Sequence, residues 1–203
     1  MSDNQITIQP EESYKIIRNS VLTAQAKVYT AVNSAMVQAY WEIGQEIHKA
    51  CGENDRAEYG KKLLEYLSEQ LTNEFGKGFA VTNLKYMRQF YRAFPNRHTL
   101  CDELSWSHYR LLMRVENEKT RSFYAEECVK SGWSVRQLER QIGTFYYERL
   151  LASQDKEAVE KEIGLPEKVE PKNIIRDPYV LEFLGLEGKT SFYEKDLEQA
   201  IID

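Results

Sequence analysis

A long run of residues near the start of the chain predicts one continuous helix. Between about residues 12 and 50, apolar side chains recur at spacings of mostly three and four, and neither proline nor glycine intervenes before Gly44. This spacing places them on one face of an amphipathic helix. At ~1.5 Å per residue the helix would extend for roughly 55 Å, longer than a compact domain of this size needs. Two interpretations stay open: a backbone helix of a monomer, or a helix whose apolar stripe forms a homodimer seam. The stripe comprises Ile16, Val21, Ala24, Val28, Val32, Ala35, Ala39, Ile43 and Ile47.

The remaining sequence predicts a mainly α, multi-helix fold. A second helix follows the i, i+4 rhythm of Leu63, Leu67 and Leu71 up to a turn at 76–78 that contains two glycines. Further helices are predicted over 105–112 and 119–130, and a last one begins at Ser134 with a Ser-x-x-Gln capping box and continues to about residue 150. No stretch alternates strictly enough to demand a sheet, although a short hairpin within 95–106 is compatible with the pattern.

The helix predicted between the glycine turn and Pro95 has two contrasting faces. Thr82 is its expected N-cap, and Leu84, Met87, Tyr91 and Phe94 form its inward arc. The opposite arc carries basic residues. From residue 77 to residue 97 there are five Lys or Arg residues and no Asp or Glu, whereas a solvated surface helix normally mixes both signs. Together with the preceding helix, it has the outline of a helix-turn-helix. The predicted nucleic-acid-binding residues are Lys77, Lys85, Arg88, Gln89, Arg92 and Arg97.

An ordinary solvated face is the competing interpretation of these basic residues, and the missing acids favour DNA binding over it. The net charge of -5 does not oppose it, because the acidity lies late in the chain. Residues 150–203 contain seven Lys or Arg and thirteen Asp or Glu, whereas residues 1–149 contain twenty and nineteen. We therefore expect residues 1–154 to form a helical domain. Residues 155–176 would form a linker and residues 177–203 a set of short helices.

Other chemistry finds little support in the sequence. The three tryptophans are expected in the core, and a structural hydrogen bond is expected for His108. Cys51, Cys101 and Cys128 lack disulfide or zinc spacing and are expected to be buried thiols. No catalytic constellation, metal site or cofactor site stands out. Neither a signal peptide nor a membrane-length apolar run is present, so a cytoplasmic location is expected.

Seven ordered segments of the chain resemble the N-terminal domain of YhcG-type proteins, a bacterial family whose C-terminal half is a PD-(D/E)XK nuclease. The resemblance implies a DNA-binding role for this domain. The segments span most of the chain from about residue 40 onward: Tyr40–Gly44, Tyr59–Leu64, Phe75–Phe79, Asn83–Tyr91, Leu104–Tyr109, Trp133–Ile142 and Asp177–Leu184.

The resemblance also bears on catalysis. It equates residues 193–202 with the first helix of the nuclease domain, and Glu198 with the helix glutamate of the family site. The strands that would supply the aspartate and the Glu-x-Lys pair for Mg²⁺ are missing from this sequence. We therefore expect no catalysis by this chain as it stands, with Mg²⁺ required only by a longer parent. Its task would be DNA recognition or, as the alternative, dimerisation or partner docking that brings nuclease domains together.

Overall fold

All regular secondary structure that the structure describes is helical. A computed structural model describes residues 10–51, 57–97, 100–155 and 178–184, and it confirms the predicted mainly α fold with a long N-terminal helix. No helix within these ranges combines the length and apolarity that a membrane crossing requires. The elements are α1 (Pro10–Cys51), α2 (Ala57–Phe75), a 3₁₀ turn (Lys77–Phe79), α3 (Val81–Ala93), α4 (Trp106–Leu112), α5 (Glu118–Ser131), α6 (Val135–Gly143), α7 (Tyr146–Ala152) and α8 (Pro178–Phe183).

Helix α1 divides into a buried and an exposed half. Its C-terminal half forms one wall of the core through residues such as Met36, Tyr40 and Trp41, which are at most 6% exposed. Toward the N-terminus, Ile16, Val21 and other members of the predicted stripe are exposed instead. The sequence stripe therefore does not mark the core-facing side of the whole helix. In the second half, that side carries both aliphatic and aromatic residues, and of the predicted stripe only Ile47 is fully buried there.

Helix α3 crosses α1 at Gly44, where the two backbones come unusually close. A Cβ atom added to Gly44 would lie 2.0 Å from the carbonyl oxygen of Met87. At the end of α3, the indole Nε1 of Trp41 donates a 2.7 Å hydrogen bond to the carbonyl oxygen of Phe94. Glycine is therefore required at the crossing, and α1 fixes the position of α3.

The buried arc of α3 differs by one residue from the predicted one. Leu84, Met87 and Phe90 are at most 1% exposed, whereas Tyr91 is only half-buried. Tyr91 packs beside the crossing, with its ring centroid 5.2 Å from that of Trp41. Phe90 takes the inner position because it meets two aromatic side chains of α4, Trp106 at 5.3 Å and Tyr109 at 4.8 Å between ring centroids.

Capping residues set several helix boundaries. Ser134 and Gln137 form the predicted capping box of α6, and Ser105 forms another with His108 at the start of α4. Gly132 ends α5 in the left-handed conformation, at φ 61°. Thr82, however, does not cap α3: the helix begins one residue earlier, and the residue before it is Ala80, which offers no side-chain hydrogen bond.

Two other predictions differ from the structure. The helix predicted from Ser134 to about residue 150 is interrupted, because α6 ends at Gly143 and Phe145 adopts φ 53° before α7 begins. Gly143, the last residue of α6, weakens the helix at this point because glycine has more conformational freedom than other residues. The hairpin suggested within 95–106 is absent from the described part of that stretch, which contains turns and the start of α4.

Helix α8 packs against the same core as the earlier helices. Val180 is buried, and the Phe183 ring contacts Tyr40 of α1 at 5.9 Å between centroids. The Tyr179 hydroxyl is hydrogen-bonded to Arg110, whose guanidinium also lies 4.0 Å from the Tyr86 ring centroid. Most of the predicted linker, and residues 185–203 of the predicted C-terminal segment, lie outside the described residues.

Candidate nucleic-acid interface

Helix α3 turns its basic arc away from the core. The burial of Leu84, Met87 and Phe90 fixes the rotation of the helix about its axis. Lys85 and Arg92 are consequently exposed, and Arg88 between them is half-buried. The three cationic side chains lie on one side of the helix, as the sequence predicted.

These cations line a groove between α2 and α3. The groove has a volume of about 470 Å³. Its polar lining comes mainly from basic residues, and Leu64 and Val81 add an apolar part to it. A concave surface of this kind concentrates the positive potential of its rim more than a flat surface does. The lining residues are Gly60, Lys61, Leu64, Val81, Lys85, Arg88, Gln89 and Arg92.

The groove contains little negative charge. Within the described residues, no carboxylate lies within ion-pair distance of Lys85 or Arg92. Lys61 reaches Glu65 at 3.9 Å, but both side chains are more than half exposed, so solvent weakens that pair. From Lys85 to Arg92 the helix rises about 10 Å, which is roughly three base-pair steps of a DNA strand. The cations can therefore contact more than one phosphate.

The two amide residues of α3 are both engaged with the fold. Gln89 lines the groove, and its Nε2 donates a 3.4 Å hydrogen bond to the carbonyl oxygen of Met113. Asn83 donates from Nδ2 to the carbonyl oxygen of Gly78 at 3.1 Å, which braces the turn before α3. Their hydrogen bonds favour a positioning role over direct contact with base edges.

Lys77 and Arg97 do not line the groove with the other predicted residues. Lys77 is exposed in the 3₁₀ turn before α3. Arg97 lies beyond the other end of the helix and pairs with Glu42 of α1, at 3.6 Å between Nη1 and Oε1. The structure thus brings together Lys85, Arg88, Gln89 and Arg92 and leaves the two end residues apart.

Lys61 is the groove residue that sequence reasoning missed. It lies on α2, 24 residues before Lys85, and α2 carries it to the opposite wall of the groove. The feature of the sequence that could have indicated Lys61 is Gly60 followed by two lysines. A glycine followed by two lysines is too common to indicate a site without knowledge of how α2 packs against α3.

The aromatic and titratable groups elsewhere have structural roles. Trp41, Trp106 and Trp133 are all buried, as expected of core residues, and therefore unavailable for base stacking. His108 contacts Ser105 and the carbonyl oxygen of Trp133, and burial lowers its pKa. Burial also raises the pKa of the Cys128 thiol to about 12, which makes the thiolate scarce at neutral pH.

The cysteines are free thiols that differ in burial. Cys51 and Cys128 are buried free thiols, as expected, while Cys101 is only half-buried. Among the described residues, no group of three or more His, Cys, Asp or Glu side chains could hold a metal ion. Glu198, which the resemblance equates with a nuclease residue, lies outside the described ranges.

Comparison with known proteins places most of the described helices in a known family. The model of the DUF1016 N-terminal domain matches residues 16–149, a stretch that includes the groove. A protein of Escherichia coli (strain K12) named "Putative nuclease YhcG" is 37% identical over 215 aligned residues, which cover 89% of this chain. The chain spans 57% of the length of that relative. No solved structure matches the chain.

Proposed function

The chain belongs to the DUF1016 N-terminal domain family, and from this premise we propose that it is a DNA-binding module. In this proposal, α2 and α3 act as a helix-turn-helix-like pair whose groove holds the phosphate backbone. Lys61, Lys85, Arg88 and Arg92 supply the positive charge, and Gln89 holds α3 against the loop after α4. Lys77 and Arg97 extend the basic surface beyond the two ends of α3. Arg97 gives up its ion pair with Glu42 and binds a phosphate instead.

The observation that carries this proposal is the convergence of two separate chain segments on one basic groove. An ordinary solvated face needs no such convergence, because exposed lysines and arginines are then scattered and accompanied by acids. Here the basic residues of α3 face a lysine from α2, without a carboxylate partner for Lys85 or Arg92 among the described residues. Phosphates are the common ligands of such a surface, and they position DNA without reading its sequence.

The similarity to a protein named as a nuclease supports DNA as the polyanion. A nuclease needs a surface that holds its substrate, and such a surface can lie in a domain separate from the catalytic one. We propose that this chain supplies that surface and that cleavage, with its Mg²⁺, belongs to a longer parent protein. A Mg²⁺-dependent cleavage assay on the present chain should accordingly detect no cut DNA.

Charge reversal at the two exposed groove residues tests the proposal. Lys85→Glu together with Arg92→Glu should reduce the affinity for a labelled duplex at least tenfold. Because both side chains are exposed, the melting temperature should change little. Arg88 is left intact because it is half-buried and its replacement could disturb the fold.

A matched control separates groove binding from a general effect of charge. Lys119→Glu together with Arg136→Glu changes the net charge by the same amount at exposed positions of α5 and α6. This variant should bind the duplex nearly as well as the wild type. Equal losses in both variants would mean nonspecific attraction, and tighter binding of single-stranded DNA or RNA would reassign the ligand.

A second candidate function is the pairing of two chains through α1. It is favoured by the exposed apolar side chains of the N-terminal half, where Tyr14, Ile17 and Val21 remain 66%, 62% and 51% exposed. Exposed apolar side chains that cluster on one surface usually mark a site where a partner protein binds. Such pairing would place two DNA-binding grooves in one assembly, as is common among DNA readers.

A further inference from the structure

The exposed half of α1 carries a regular seam that differs from its core-facing side. Apolar residues recur there at alternating spacings of three and four over three heptads, which is the pattern of a two-stranded coiled coil. Every member of this seam is exposed. We define the α1 seam as the set Tyr14, Ile17, Val21, Ala24, Val28, Ala31 and Ala35.

The α1 seam and the core face occupy different sides of one helix. The core face of α1 begins at Asn33 and continues through Met36 and Tyr40. All three residues are at most 2% exposed. Ala35 lies between these buried positions in sequence and yet is exposed. Among the described residues, the core therefore leaves the seam uncovered along its whole length, and packing within this part of the chain does not explain the heptad pattern.

Side-chain size along the seam tapers from one end to the other. Its N-terminal members are Tyr14 and Ile17, whereas its last two are alanines. If two copies paired in parallel, tyrosine would face tyrosine at one end and alanine would face alanine at the other, so the helices could not keep one separation. A partner running in the opposite direction would instead place the largest residue opposite an alanine and residues of intermediate size opposite each other, so the separation of the helices stays more even.

We propose that the α1 seam pairs antiparallel with the α1 seam of a second copy of this chain. The inference rests on the second candidate function above and adds its partner, orientation and register. Tyr14 then faces Ala31 of the second copy, Ile17 faces Val28, and Val21 faces Ala24. A two-fold axis passes between residues 22 and 23, so each contact occurs twice, as in an isologous interface. The paired segment, residues 14–31, is about 27 Å long.

Charges beside the seam are compatible with this self-pairing. The flanking positions bring Arg18 near Gln25 of the other copy, and Ser20 near Lys27. Each cation is separated from its own copy by about nine residues, or roughly 13 Å along the helix, and Arg18 lies at the level of Lys27 of the other copy but on the opposite flank of the seam. Antiparallel pairing also places the two globular bodies at opposite ends of the helix pair.

Light scattering on the full chain tests the pairing itself. The wild type should have the mass of a dimer, and Val21→Glu should reduce it to a monomer without lowering the helical content, because Val21 makes no core contact. Thr23→Glu is the matched control, since Thr23 is exposed on the same turn but outside the seam, and it should remain a dimer. A monomeric wild type would overturn both the second candidate function and the proposed register.

Disulfide cross-linking tests orientation separately. Tyr14→Cys and Ala31→Cys proteins should cross-link to each other when mixed and oxidised, and far less when each is oxidised alone. The wild type corrects for its native cysteines, of which Cys51 and Cys128 are buried. Efficient cross-linking of Tyr14→Cys to itself would indicate a parallel dimer. That result would overturn the antiparallel register while leaving dimerisation in place.

Discussion

Replacement of Gly44 by alanine should force α1 and α3 apart at the contact that fixes the position of α3. The added Cβ would lie 2.0 Å from the Met87 carbonyl oxygen and 2.7 Å from its carbonyl carbon. Both are backbone atoms of α3, so no side-chain rotation can relieve the overlap. The two helices must separate by about 1 Å or more before the contact becomes ordinary.

The expected change in the free energy of unfolding has two unfavourable contributions and one favourable contribution. Forcing an extra methyl group into a packed interface costs about 1–3 kcal/mol. The hydrogen bond from Trp41 to the Phe94 carbonyl oxygen would weaken as the helices separate, at a cost of about 1 kcal/mol. Alanine gains about 1 kcal/mol over glycine as a helix former, which offsets part of the loss. We expect a net destabilisation of roughly 2 kcal/mol, or a drop in melting temperature of about 4–8 °C for a chain of this size.

Urea denaturation followed by circular dichroism measures this change. The transition midpoint should fall for Gly44→Ala while the slope stays constant, because the same surface is exposed on unfolding. Gly143→Ala is the control: Gly143 ends α6, and its added Cβ would meet nothing within 4 Å. That variant should match or slightly exceed the wild type. Wild-type stability in Gly44→Ala would refute the close approach of α1 and α3.

Three further predictions concern caps and buried groups. Ser134→Ala removes the capping box of α6 and should lower the free energy of unfolding by about 1 kcal/mol in a urea titration. Burial lowers the pKa of His108 in the folded protein, so the unfolded chain binds the proton more readily. The free energy of unfolding should therefore decrease as the pH falls below the usual histidine pKa of 6.5 toward the folded-state pKa. His108→Gln, which keeps a capping-box residue, should flatten that dependence, and an unchanged slope would contradict the assignment. The Cys128 thiol, whose pKa burial raises to about 12, should resist alkylation at pH 8 until the protein is unfolded, as mass mapping would show.

Local rules were sufficient wherever a feature depends on residues close in sequence. The Ser134–Gln137 box, the stop at Gly132 and the exposed position of Lys85 all follow from helical spacing and capping chemistry. The basic arc of α3 was predictable for the same reason. The side of a helix on which a residue lies follows from its spacing to other residues within a few turns.

Features set by packing between distant segments were not accessible from the sequence. Phe90 rather than Tyr91 occupies the inner position because α4 supplies aromatic partners there. Lys61 joins the groove because of how α2 lies against α3. The interruption follows Gly143, a residue that often ends helices, but the positive φ falls on Phe145, a position that the sequence does not mark.

The salt dependence of duplex binding tests the phosphate-binding groove most directly. The logarithm of affinity should fall linearly with the logarithm of salt concentration, and each phosphate contact contributes about 0.9 to the slope. Lys85→Ala together with Arg92→Ala should therefore reduce the magnitude of the slope by about 1.8, with similar losses for unrelated duplex sequences. A slope identical to that of the wild type would show that these side chains do not contact phosphates and would contradict the assigned role of the groove.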